Sequence, residues 1–151
     1  MADLGRSDHV DAFSVAVPPG MTAPELARRA LAATPGWVRA LLRVRDILVR
    51  PFGLHTGSRA PTPEVEIEVG RELDAFIVLS VSDGEVLLGR DDRHLRFRTS
   101  FAIREGGRGR EGVCTTVVTY NNIWGRLYHN AIKPFHGLII RTVLARGACL
   151  P

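Results

Sequence analysis

Arg45 stands out among the residues that could do chemistry. The stretch Trp37–Phe52 (WVRALLRVRDILVRPF) has helical spacing, with Trp37, Val38, Leu41, Leu42, Leu48, Val49 and Phe52 on one face. Arg39, Arg43, Asp46 and Arg50 share the opposite face, but Arg45 projects into the middle of the apolar one. An unpaired guanidinium there costs on the order of several kcal/mol, so it needs a partner. Two partners stay open. One is a ligand carboxylate or phosphate held bidentately. The other is a structural ion pair with Glu72, Asp74 or Asp92, unless the side chain snorkels to solvent.

Near the C-terminus, Trp124, Tyr128 and Phe135 form the aromatic part of a helix face. They could wall an apolar ligand, with the Tyr128 hydroxyl as an orienting donor, or be ordinary core. Leu41 and Phe97 would complete such a wall. His94 with Asp92 could act as an acid–base pair, since imidazole titrates near neutrality. Against this, Asp92 falls in a turn, and His94 shares the side of Arg96 and Arg98, which reads as solvent. His129 and His136 are seven residues apart, too far for a two-histidine metal clasp, and read as a solvated face with Arg126 and Lys133. His9 and His55 fall in a tail and a loop, and no metal site is expected.

The chemistry that is missing narrows the function. There is no glycine-rich dinucleotide or phosphate loop opening a helix and no nucleophile elbow, so no cofactor is expected. Cys114 and Cys149 lack metal spacing, and Cys114 sits in a β-branched run as a small hydrophobe. The net charge of +4 comes from dispersed arginines, with Lys133 the only lysine. No basic block or aromatic-interleaved motif appears, so nucleic acid is not an expected partner. No apolar run is long enough to span a membrane, and residues 1–13 lack a signal-peptide layout. A cytoplasmic protein is expected.

The elements that must position these residues follow from period and punctuation. With 151 residues and 45% hydrophobic content, the chain supports one domain with a sizeable core. A flexible tail (1–10), a single domain (11–147) and a short tail (148–151) are expected. Residues 11–17 alternate as a strand that Pro18-Pro19-Gly20 ends. Thr22, Pro24 and Glu25 start a helix over 23–33, with Leu26, Ala27, Ala30 and Leu31 inward. The Trp37–Phe52 helix follows, then a loop over 54–63. Strands are expected at 64–69, 74–82, 85–89, 93–104 and 113–120, with Asp83-Gly84 a hairpin turn and 105–112 (EGGRGREG) a flexible one. On 93–104, Leu95, Phe97, Thr99, Phe101 and Ile103 face one way. A long helix over 121–146 closes the sheet, docking on Ile123, Trp124, Leu127, Tyr128, Ala131, Ile132, Phe135, Leu138, Ile139 and Val143. Pro134 should kink it or bend it around the sheet.

Hairpins followed by a helix imply α+β, with an antiparallel sheet of about six to seven strands curled around the C-terminal helix. That order, with Trp37, the Arg45-Asp46 step, Asp92–Phe97 (DRHLRF), Asn121–Tyr128 (NNIWGRLY) and Lys133–His136 (KPFH), resembles an uncharacterised bacterial domain-of-unknown-function family, number 2867. More widely the chain resembles the START-like, birch-pollen-allergen-like helix-grip (SRPBCC) superfamily. The family resemblance implies no assigned reaction, with some members fused to reductase-like domains. The superfamily implies a hydrophobic cavity between sheet and helix for lipids, steroids or polyketides, with a minority of enzymes.

Three functions are therefore expected in order. The first is a small-molecule binding domain for an apolar or amphipathic ligand such as an apolar acid, using Arg45, Tyr128, Trp124, Leu41, Phe97 and Phe135. The second is an interaction domain, monomeric or homodimeric, or working with a reductase-like partner. The third is a cyclase, isomerase or hydrolase in the same cavity, with His94, Asp92 and Tyr128 as acid–base candidates.

Overall fold

A computed structural model describes residues 7–52, 66–73 and 76–149. Strand β1 (His9–Ala16) precedes helices α1 (Ala23–Ala32) and α2 (Gly36–Val49), the latter ending in a 3-10 turn, Arg50–Phe52. Strands β2 (Glu72–Leu73), β3 (Phe76–Val81), β4 (Glu85–Asp91), β5 (Leu95–Gly106) and β6 (Gly109–Tyr120) lead into helix α3 (Ile123–Cys149). The class is α+β. All pairings are antiparallel, in an open sheet of order β1-β6-β5-β4-β3-β2. Five strands have six or more residues, and β2 adds a two-residue edge, against the six to seven strands expected.

Several boundaries move for local reasons. β1 starts at His9, inside the expected tail, because His9–Ala16 pairs residue by residue with Val118–Glu111 of β6. The expected flexible turn is mostly strand. β5 and β6 pair up to Gly106 and Gly109, leaving Gly107-Arg108 as a two-residue turn, with Gly109 at φ 116°. Across this hairpin Arg104 faces Glu111 and Glu105 faces Arg110, so opposite charges lie side by side. The loop expected at 54–63 lies outside the described residues, as do the first two positions of the 64–69 strand; Glu66–Val69 forms no strand.

α1 follows its sequence signals. Thr22 Oγ1 accepts from the Glu25 backbone N–H, and Pro24 sits in the first turn. Glu25 pairs forward with Arg29 rather than returning a bond to Thr22. Leu26, Ala27 and Ala30 are fully buried, and Gly112 of β6 lets the Leu26 side chain lie against its Cα. The core joins Phe13, Val15, Val86, Leu88, Phe101, Ile103 and Cys114 of the sheet to α1 and to Leu144 and Ala148 of α3. The alternation on β5 leaves open which of its two faces turns inward. Phe101 and Ile103 point to the helices, while Arg96 and Arg98 reach Asp91 on the other side.

α2 packs less than its wheel suggests. Val38 is buried, but Trp37 and Leu41 are partly exposed and Leu48 largely so; the side chains of Leu42 and Val49 lie outside the described ones. Among the described residues no helix is long and apolar enough to cross a membrane.

Candidate functional site

The site is set by how α3 docks. A Cβ on Gly125 would sit 2.0 Å from the His94 carbonyl oxygen, and one on Gly147 would sit 2.7 Å from the Ala30 nitrogen. At these two points the helix backbone touches its neighbours, which only glycine allows. At 100° per residue Gly125, His129, Ile132, His136, Val143 and Gly147 fall in one arc of about 60°. His129 therefore points into the structure, 2% exposed, and His136 is half-buried. The expected solvated histidine face is overturned. Trp124 and Phe135 instead lie 60% and 54% exposed, with Ile123, Leu127 and Leu138 also exposed. The docked face is turned roughly a quarter of a revolution from the apolar arc. Pro134 lies exposed within a continuous helix.

Beneath that face β1, β5 and β6 contribute polar side chains in neighbouring positions. Asp11 pairs with Thr116, and Thr116 with Thr99, so the three stand in a row across three strands. His9 Nε2 lies 3.3 Å from Asp11 Oδ2, and His136 Nδ1 lies 3.5 Å from the same oxygen. The His9 and His129 rings are 4.7 Å apart. Tyr120 Oη is 2.8 Å from His129 Nδ1. His136 also meets Phe97 edge-on at 5.8 Å, and Phe97 stacks on Phe76 at 5.4 Å.

The electrostatics assign states to these groups. Burial pushes the His129 imidazole down to about 4, with His9, His136 and Lys133 adding repulsion, so it is neutral at pH 7. Nδ1 of this neutral ring shares a hydrogen bond with the Tyr120 hydroxyl, whose own pKa is raised by burial and by Asp8. Burial works against the Asp11 carboxylate, but His136 and His9 outweigh it and hold Asp11 below its ordinary value, ionised. Burial pushes the Cys114 thiol up to about 12, with Asp11 adding to it, so Cys114 is an inert hydrophobe.

Three buried atoms of this patch have no hydrogen-bond partner on the protein, Asp11 Oδ1, Thr99 Oγ1 and Thr116 Oγ1, while His136 Nδ1 has only its long contact to Asp11 Oδ2. Thr116 and Thr99 are 0% and 5% exposed, so bulk water does not reach them freely. Such groups are nearly always satisfied in folded proteins, by protein, ordered water or a ligand. Among the described residues no three His, Cys, Asp or Glu side chains converge as metal ligands do. At the edge of the cluster, Tyr120 also borders an open cleft of about 280 Å³ with Asp8, Asn121, Asn122, Ile123 and Arg126.

The residues singled out in the sequence form a separate group. Arg45 Nη2 and Nε bond Asp46 Oδ1 at 2.6 and 3.1 Å, a pair between adjacent residues. Of the alternatives raised above, Asp74 lies outside the described residues. Arg45 also donates to the Tyr128 hydroxyl, whose pKa burial raises, with Asp46 and Asp92 nearby. The fold thus does bring Arg45, Tyr128 and Asp92 together. His94 Nδ1 meets the Asn122 side-chain amide at 3.0 Å, while Asn122 Oδ1 caps α3 by accepting from the Gly125 N–H. Leu41 is partly exposed, and of the proposed aromatic wall only Phe97 lies at the buried polar patch. His9, Asp11, Thr99, Thr116, Tyr120, His129 and His136 were not legible as a site. The signal that could have found them is the shared phase of Gly125, Gly147 and the two α3 histidines.

The family DUF2867, described as a protein of unknown function, matches residues 4–143, and the chain belongs to that family. No curated protein matches the chain. Among solved structures it is similar to protein MLL2253 from Mesorhizobium loti, with 11% identity, 90% of this chain and 94% of that one covered, and a TM-score of 0.44. It is also similar to the protein of unknown function SA2116 from Staphylococcus aureus, with 12% identity, 89% and 91% coverage, and a TM-score of 0.41.

Proposed function

We propose that this DUF2867 domain binds a small, largely apolar molecule between its sheet and α3, in the manner of a helix-grip protein of the SRPBCC superfamily. The strand order, with β1 beside β6 and the C-terminal helix across the same face, supports the helix-grip reading. The observation that carries binding is the row of three unpartnered buried atoms on Asp11, Thr99 and Thr116. Leaving each unpaired costs about 1–3 kcal/mol, and a ligand's polar end placed there recovers part of it. Phe97 and Phe76 supply the apolar wall beside the polar row.

Thermal shift of the purified protein against fatty acids, long-chain alcohols, aromatic polyketide-like molecules and nucleotides tests this. A ligand at 100 times its Kd adds about 2.7 kcal/mol to stability. Thr116→Val, which keeps shape and removes the hydroxyl, should weaken the response. A panel with no hit at all overturns the binding reading.

A second reading, interaction through a homodimer, is favoured by the exposed Trp124, Leu127, Phe135 and Leu138 of α3 and by Ile47 of α2, 72% exposed. Light scattering decides it: a dimer that Leu127→Glu converts to monomer supports it, and a wild-type monomer at 100 μM or so excludes a tight one.

A further inference from the structure

The unpartnered atoms differ in kind, and the difference specifies the ligand. Asp11 is ionised, so its free Oδ1 is an acceptor only. Oδ2 of the same carboxylate is shared by His9 at 3.3 Å and His136 at 3.5 Å. The two threonine hydroxyls can each donate or accept. A ligand that completes this row must therefore bring at least one donor, for Asp11 Oδ1, and can accept from Thr99 or Thr116 in return.

A carboxylate can accept from the threonines but fails the first half of this. It carries no donor at neutral pH, and beside Asp11 it would place two like charges in one half-buried site, which forces one of them to take up a proton. The cation that the sequence offered for a carboxylate, Arg45, is already bonded to Asp46 and Tyr128. A cationic ligand head is disfavoured from the other side. An ammonium head would donate to Asp11 but can accept nothing from Thr99 or Thr116, and Lys133 is near enough to repel a proton from His129.

Resting on the binding reading above, we infer that the ligand's polar end is a neutral hydroxyl, an alcohol or phenol, that donates to Asp11 Oδ1 and accepts from Thr116 or Thr99. A hydroxyl matches the row because it is donor and acceptor at one atom. The apolar acid expected from the sequence is thereby replaced by an apolar alcohol.

Three probes with one hydrocarbon chain test this: 1-octanol, octanoate and octylamine, compared by calorimetric or thermal-shift titration at pH 7.5. Octanol is expected to bind at least tenfold more tightly than either charged probe. Asp11→Asn supplies an amide donor and removes the charge, so it should narrow the octanol-to-octanoate ratio severalfold. If that variant fails to fold, the wild-type ranking still decides. Octanoate or octylamine binding as tightly as octanol overturns the hydroxyl assignment while leaving the binding reading intact. No response to any of the three overturns it too, as for a row filled by water only. Failure of the whole wider panel is what overturns the binding reading itself.

Discussion

The Tyr120 hydroxyl lies 2.8 Å from Nδ1 of His129, joining the end of β6 to a face of α3 that is 2% exposed at that histidine. Removing the hydroxyl leaves a buried ring nitrogen without its partner. Tyr120→Phe is expected to lower stability by about 1–3 kcal/mol in urea unfolding. Combining it with His129→Leu should cost less than the two changes summed, because the pair is lost only once. Additive costs would show that the contact carries no coupling.

Acid should destabilise the fold well above the range where carboxylates titrate. His129 falls from 6.5 in the unfolded chain to about 4 in the folded one, so the unfolded chain binds more protons between those values. Stability is then full above pH 6.5 and declines as pH drops toward 4, by roughly 3 kcal/mol across the window. Asp11 acts at the lower end. Its folded value lies below its ordinary 3.8, so its contribution is present above that value and is lost as pH falls beneath it. Urea midpoints at pH 7.5, 6.0 and 5.0 check this, with His129→Leu flattening the profile between 6.5 and 5. A flat wild-type profile would contradict the buried neutral imidazole.

Glycine positions on α3 should differ sharply in what they tolerate. A Cβ at Gly125 meets the His94 carbonyl at 2.0 Å, whereas one at Gly137 meets only Phe13 Cζ at an ordinary 3.5 Å. Gly125→Ala is expected to cost about 2–3 kcal/mol through forced separation of helix and sheet. Gly137→Ala should be neutral or stabilising by up to about 1 kcal/mol from helix propensity. Thermal unfolding of the two variants decides; equal effects would mean that α3 is not docked through Gly125.

Only one thiol should react in the native protein. Cys114 is buried with its pKa pushed up to about 12, while Cys149 is exposed. Titration with a disulfide reagent should show a single fast thiol in the native state and two in urea. Fast loss of both would place Cys114 in a mobile strand.

Arg45→Leu should cost about 1 kcal/mol or less, since its bond to Asp46 joins partly exposed neighbours. The variant should retain any ligand-induced thermal shift. Abolition of the shift without unfolding would return Arg45 to the binding site.

The elements whose signals are local were determined by sequence. The Thr22–Pro24–Glu25 start fixes α1, Asp83-Gly84 punctuates β3 and β4, and period two on β5 puts Phe101 and Ile103 on one face, which the tertiary structure turns toward the helices. The extent of α3 is equally local, whereas the meeting of Arg45 on α2 with Tyr128 on α3 is tertiary. What the tertiary structure alone decided is the rotation of α3, and with it the site. Apolar residues cover so much of that helix that hydrophobicity does not choose a face. The choice falls to Gly125 and Gly147, whose missing side chains let the backbone press against His94 and Ala30. That contact turns Trp124 and Phe135 outward and carries His129 and His136 onto β1, where pairing with Val118 and Thr116 has already aimed His9 and Asp11. Helical period records which residues share a face, but close backbone approach between distant segments decides which face is buried.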